Sequence, residues 1–276
     1  MGALPIIDTR SLFRPLDHAL QTLLAEMQPV EWELPTVAGT WLVKDVVAHL
    51  LDGNLRALSM QRDGYFGEAP PDIEGYDDLV GWLNELNATW VSAMKRVSPK
   101  VLTFLHEVTG PATCDYYSSL DPMATAVFAV DWAGEEESLN WMHLAREYSE
   151  KWHHQQQIRD AAGLPGIMGS EFFVPFMDTY LRGLPHTFRS VEAPLGTSIS
   201  VTIDTAGTWY MEKTDASWEL FTSPRSTPAA TITLDPDLAW KLFSKNIRPE
   251  AVTQGVSLSG DEGLARHVLQ MVAVMA

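Results

Sequence analysis

The sequence predicts an α region followed by an α+β region: a four-helix bundle over residues 1–165, then a smaller α+β domain over residues 166–276. Three observations predict it. Apolar residues recur at helical spacing through the first half. After Gly163, somewhere between about residues 163 and 190, the pattern shifts towards the alternation of strands. A chain of 276 residues also exceeds the usual length of a single domain, about 100 to 150 residues, so two domains are expected.

The first helix is marked by Leu16, Ala19, Leu20, Leu23, Leu24 and Met27, and the second by Leu42, Val43, Val46, Val47 and Leu50. Wound as a helix, each set makes one apolar stripe. The segment GEAPPDIEGYDD, with its prolines, glycines and acids, reads as a surface loop. A third helix, from about Asp77 to Val97, places Leu79, Leu83, Leu86, Trp90, Met94 and Val97 on one face, with Asp77 and Asp78 at the positive end of its dipole. From Pro99 to Glu137 regularity is lost, which predicts a short helix near Val101 to Val108 and a long crossover. The fourth helix runs from about Ser138 to Ala162 and stops at Gly163, with Pro165 behind it. Four strands follow, over residues 197–203, 207–212, 218–221 and 230–234. Asp235 caps a helix with Pro236 at its first position, and a last helix follows Gly260 and Asp261.

Hydrophobic residues at 46% and charged residues at 20% give the balance of a soluble globular protein. The formal net charge of -17, from 36 acidic against 19 basic side chains, repels a phosphate backbone and an anionic membrane surface alike. Neither nucleic acid nor membrane is expected as a partner. No apolar run approaches the roughly 20 residues that span a bilayer, and MGALPIIDTR lacks a basic region followed by an apolar core. The expected location is cytoplasmic. Cys114 is the sole cysteine, so no intrachain disulfide can form; it reads as a small buried apolar residue or, alternatively, a nucleophile.

Chemistry concentrates in REYSEKWHHQQQIRD, residues 146–160. Each helical residue advances about 100°, so His143, Glu147, Glu150, His154 and Gln157 share one sector. Trp141, Leu144, Ala145, Tyr148 and Trp152 supply the opposite, packing side. The polar stripe is either a solvated face or one half of a metal site. A solvated face usually mixes both signs of charge, yet no Lys or Arg stands among these five residues. A divalent cation would relieve the repulsion between their carboxylates.

In TWLVKDVVAHL, His49 shares a sector with Leu42 and Val46 and therefore points inward. Alone it reads as a core histidine bonded to a carbonyl; with an i, i+4 carboxylate–histidine pair on a facing helix it becomes the ligand set of a bundle metal site. His143 with Glu147 and Glu150 with His154 both have that spacing, and Glu150 with His154 is the favoured pair. Glu147, His153 and Gln157 are candidates for supporting or pocket roles, and Gly53, one turn after His49, leaves room for a ligand. Two histidines and one carboxylate leave a coordination position open, as catalytic sites do. Zn²⁺ suits the set best, while Fe²⁺ and Ni²⁺ use the same ligand types.

TWLVKDVVAHL followed about a hundred residues later by WAGEEESLNWMHLAREYSEKWHHQQQIRDAAG resembles the DinB/YfiT-like metalloproteins, and more closely their mycothiol-dependent maleylpyruvate isomerase branch. The ending VTQGVSLSGDEGLARHVLQMV is similar to the sterol-carrier-like domain that completes that branch. The resemblance implies a DinB-like bundle joined to a sterol-carrier-like α+β domain, with metal ligands at His49, Glu150 and His154. It also implies mycothiol or a similar thiol as cosubstrate, whose thiolate adds to a cis double bond, permits rotation and leaves again. A small-domain arginine belongs to that branch's site; Arg225, Arg248 and Lys245 are the candidates for that position. The implied activity is isomerase or S-transferase chemistry on a small electrophile, by a monomer or homodimer. Metal-dependent hydrolysis, in which the ion activates water, is a further enzymatic reading. The reading from another class is a small-molecule or lipid-binding protein whose bundle is stabilised by metal without turnover.

Overall fold

The computed structural model of the protein describes residues 4–67, 71–72 and 74–274. Part of the expected loop GEAPPDIEGYDD lies outside those residues. Contacts divide the described residues into two compact units: one holds Asp8–Val127 with Glu150–Ile167, the other Phe128–Ser149 and Met168–Val274 with residues 4–7.

Among the described residues the first part of the chain forms five long helices rather than four. In α1 (Phe13–Glu26) the expected stripe of Leu16, Leu20, Leu23 and Leu24 is buried. The backbone N–H of Leu42 donates to the Asp45 carboxylate at 3.1 Å and so starts α2 (Val43–Arg56). That helix buries Val43, Val46, Val47, Leu50 and Leu51 and continues into a π-helical turn over Ala57–Arg62. On α2 lies α3 (Tyr76–Met94), where the Trp90 indole N–H donates to the Ala48 carbonyl at 2.7 Å. Next comes α4 (Pro99–Ser119), packed on both α1 and α2. The last of the five is α5 (Asn140–Ala162), whose Ile158 enters the core shared by Leu24, Val47, Leu51 and Leu102.

The extent of α4 corrects the short helix expected near residues 101–108. Gly110 and Pro111 look like breakers in sequence. Pro111 forfeits one backbone bond in a helix of 21 residues, while Gly110 serves the close packing of α1 on α4. A Cβ at residue 110 would stand 2.2 Å from Oδ1 of Asp17 on α1. That carboxylate is itself buried, burial raises its pKa, and the Gln21 side-chain amide donates to it at 2.7 Å.

In the second unit, the chain after Gly163 does not pass directly into strands. Two helices come first, α6 (Ser170–Leu181) and α7 (Leu184–Thr187), with Phe173, Phe176, Met177 and Tyr180 buried at helical spacing. The four expected strands follow as β1 (Ser198–Ile203), β2 (Gly207–Lys213), β3 (Trp218–Phe221) and β4 (Ala230–Leu234). A fifth, β5 (Val256–Gly260), was not expected; with alternating burial of only two partly exposed residues, it carries little apolar signal. The sheet order is β3-β2-β1-β4-β5, antiparallel except where β4 returns alongside β1 in parallel. Asp235 caps α8 (Pro236–Phe243) through the N–H groups of Asp237 and Leu238, and Asp261 caps α9 (Glu262–His267) in the same way, as expected. Among the described residues no helix is long and apolar enough to cross a membrane.

His106 on α4 is fully buried, and its Nε2–H donates to the Val47 carbonyl at 3.0 Å. Burial presses its pKa down to about 4. The folded value lies below the ordinary value of about 6.5, so the unfolded chain binds the proton first. The stability from this neutral ring is complete above about pH 6.5 and is lost as pH falls towards 4. Urea unfolding should show wild type losing ~2 kcal/mol more than His106→Gln between pH 7 and pH 5. Equal losses in the two proteins would refute this. Gly110→Ala should cost ~1–3 kcal/mol by forcing α1 and α4 apart, read from the same measurement at neutral pH.

Candidate metal centre

His49 sits one turn before Gly53 on α2, on the stripe that includes Val46. The Trp41 ring packs 5.1 Å from its imidazole. On α5, Glu150 and His154 are four residues apart, and Nε2 of His154 stands 3.2 Å from Oε2 of Glu150. The imidazoles of His49 and His154 meet edge to face at 4.6 Å. One ligand atom from each of His49, Glu150 and His154 lies within 4.8 Å of the other two. Side chains about a hundred residues apart in sequence therefore converge inside one compact unit.

These residues fit a divalent ion on two counts. Two donors about 2.0–2.1 Å from one tetrahedral ion stand ~3.3 Å apart, close to the 3.2 Å between His154 and Glu150. Nδ1 of His49 is enclosed and has no hydrogen-bond partner among the described residues, although a buried imidazole nitrogen ordinarily finds one. Burial, with smaller contributions from His154 and Arg56, holds the His49 pKa well below the usual value. A metal ligand must be neutral at the donating nitrogen, and this ring is kept so.

The supporting candidates divide. Nδ1 of His154 lies 2.8 Å from Oε1 of Gln157, and Nε2 of Gln157 lies 2.7 Å from Nε2 of His153. His153 and His154 are tilted neighbours at 4.4 Å, and both His153 and Gln157 are buried. Glu147 is placed differently: Nη2 of Arg146 reaches its carboxylate at 2.7 Å and Nδ1 of His143 at 2.9 Å. The other four-apart pair is thus bound through an arginine. The absence of a basic residue from the stripe itself did not reveal that a neighbouring arginine folds back onto it. Burial and Arg146 press the His143 pKa down to about 4.

Sequence reasoning passed over Arg56, two turns after His49 on α2. It pairs with Asp52 at 2.6 Å and donates to Asn87 at 3.0 Å; its spacing of seven residues from His49 was the available signal. Cys114 is buried and its thiol is pushed up to about 11, so it is a packed apolar residue rather than a nucleophile. Arg225, Lys245 and Arg248 all belong to the unit that holds the sheet. Arg225 stacks over Phe221 at 4.8 Å and reaches Glu212 at 3.7 Å, and Lys245 follows α8 with a φ of 59°.

A helical unit with an inward histidine on one helix and a carboxylate–histidine pair on another is the build of the DinB-like proteins. The sequence profile described as the mycothiol maleylpyruvate isomerase N-terminal domain matches residues 13–159, more than half of the chain, and the protein belongs to that family. No curated protein matches the chain in sequence. Two solved structures share its fold across both regions. One is a mycothiol-dependent maleylpyruvate isomerase, 13% identical with a TM-score of 0.56; the other is a histidine-to-alanine mutant described by the same name, 12% identical with a TM-score of 0.58. Each covers 94% of this chain, which in turn covers 96% of each.

A Cβ placed on Gly53 would meet nothing within 4 Å. Gly53 therefore weakens α2 without any packing need. Gly53→Ala should raise stability by ~0.5–1 kcal/mol through helix propensity alone. A fall in melting temperature would show that the space is not open.

Proposed function

We propose that the protein is a metal-dependent enzyme that uses a low-molecular-weight thiol of the mycothiol kind for isomerase or S-transferase chemistry on a small electrophile. His49, Glu150 and His154 are the ligands of one divalent ion, with Zn²⁺ the best match to two imidazoles and a carboxylate. The observation that carries this reading is the approach of those three side chains to within 4.8 Å of one another. Membership of the mycothiol maleylpyruvate isomerase N-terminal domain family supports the thiol.

When bound, the ion lowers the pKa of a coordinated thiol and holds it as thiolate beside an electrophile. The charges of the ligands suit that partner. Burial holds the His49 pKa low and Glu150 is the one carboxylate among the three residues, so a divalent ion held there would keep positive charge that an incoming thiolate would meet. Trp41 packs its ring beside the His49 imidazole, and Gly53 places no side chain one turn further along the helix. His154 is held from its far nitrogen by Gln157, so its near nitrogen keeps its aim.

Protein purified without added metal should contain about one equivalent of a divalent transition metal. His49→Ala, Glu150→Ala and His154→Ala should each weaken zinc binding more than ~100-fold, beyond the loss typical of residues that only support ligands. In cobalt-substituted protein, the visible spectrum should shift on adding a thiol that mimics mycothiol. Less than about 0.2 equivalents of metal with no uptake on soaking would overturn the metal site. A bound ion whose spectrum ignores every thiol would leave a metal-stabilised protein without this chemistry.

A further inference from the structure

We propose that the outward face of α4 is a docking surface for a second copy of this chain, the two helices packing antiparallel about a two-fold axis beside Phe104. The proposal is independent of the metal site. The inner face of α4 buries Leu102, His106, Thr109, Thr113 and Tyr117. On the opposite side Val101, Phe104 and Val108 share one sector about 60° wide. Those three side chains are 46%, 58% and 57% exposed. Apolar residues at helical spacing thus line both sides of one helix. Single exposed apolar residues are ordinary, but large ones aligned on one face mark a site of contact.

Charge selects the occupant. With a formal net charge of -17, two copies repel each other over most directions of approach. The face of α4 differs. It carries Lys100, Glu107 and Asp115, and Asp115 pairs with Arg14 of α1, so these four charges cancel. Lys100 and Glu107 are exposed, make no ion pair among the described residues, and lie two turns apart along the same edge of the stripe. A two-fold axis perpendicular to the helices and level with Phe104 sets that edge against itself, running the other way. Lys100 of one copy then faces Glu107 of the other, twice over, and the two Phe104 rings meet between the pairs. A parallel pairing would put the two edges on opposite sides and leave every one of these charges unmatched. A lipid surface gains nothing from Glu107, whereas a second copy uses each of these residues.

One helix face makes a small interface, under ~1,200 Å² in total, so the association is weak. Sedimentation velocity of the full chain from about 1 to about 500 µM, in ~0.15 M salt to screen the net charge, should show a dimer that grows with concentration. Phe104→Ala should raise its dissociation constant more than ~10-fold, since each dimer loses two rings at its centre. Lys100→Glu sets glutamates against each other across the axis, and Glu107→Lys sets lysines. Each should raise the constant about 3–10-fold, while the variant carrying both should return to within about twofold of wild type. Mixed in equal amounts, the two single variants should form a heterodimer tighter than either variant makes alone, because opposite charges again face one another. These side chains lie on the surface, so melting temperatures should hold and loss of fold is not confused with loss of contact. A chain that stays monomeric throughout overturns the proposal, as does a dimer in which the double variant fails to restore what each reversal loses. A monomer that Phe104 carries onto phosphatidylcholine vesicles overturns it in favour of a membrane surface.

Discussion

Five consecutive polar side chains, His153 to Gln157, are buried on α5, and the chemistry of the protein follows from how that burial is satisfied. A buried donor or acceptor without a partner costs about 1–3 kcal/mol, so such a run persists only if most of its members are bonded. Gln156 accepts the backbone N–H of Ile167 at 2.9 Å and ties the end of the helix to the chain that follows. The same amide lies close to Gly166, where a Cβ would approach it to 2.7 Å. Gln157 bridges two imidazoles. Gln155 is the exception, with both amide atoms enclosed and unbonded among the described residues. An apolar helix would pack here more cheaply; the polar run makes sense as the framework that aims His154.

Electrostatics sharpen the same point. Burial depresses both His49 and His153, so the helical unit collects imidazoles whose nitrogens offer lone pairs rather than positive charge. Glu150, a third exposed at its side chain, is the only carboxylate in the cluster. A neutral, nitrogen-rich corner with a single anion repels cations far less than a field of protonated histidines would. Arg56, two turns along α2 from His49, pairs with Asp52, and its charge adds to the burial that keeps the His49 pKa low. In the other unit Arg146 does the opposite for Glu147, consuming its charge in an ion pair. The two four-apart pairs on one helix have in this way been given different tasks by their neighbours.

Much of this was legible in the sequence. The stripes of α1 and α2 were readable because Leu and Val at helical spacing leave no other way to bury them, and His49 on the second stripe had to face inward with them. Glu150 and His154 were readable as a pair because four residues bring side chains to the same face. The full length of α4 was hidden because Gly110 and Pro111 carry breaking propensity, and only the packing of α1 against α4 shows what the glycine is for. The first helices after Gly163 were hidden by attention to the alternating segments beyond them, although Phe173, Phe176 and Tyr180 have helical spacing. That Gln157 reaches both rings could not be read at all. From residue 157, His154 lies three residues back and His153 four, both within reach on a helix, and spacing alone does not say which of them the amide meets.

The same spacing is economical. Residues 150, 153, 154 and 157 are related by steps of three and four along α5, so Glu150, His153, His154 and Gln157 are placed by one element with regular backbone bonds. Only His49 must come from elsewhere, and it comes from α2, whose core residues Val46, Val47 and Leu50 pack in the same cluster as Ile158 of α5. Two rigid helices sharing one apolar core fix the distance between three polar atoms more closely than loops could. The apolar packing thus does for His49 what the Gln157 amide does for His154: it removes freedom from a side chain before any ligand arrives, so that binding does not have to supply that ordering itself.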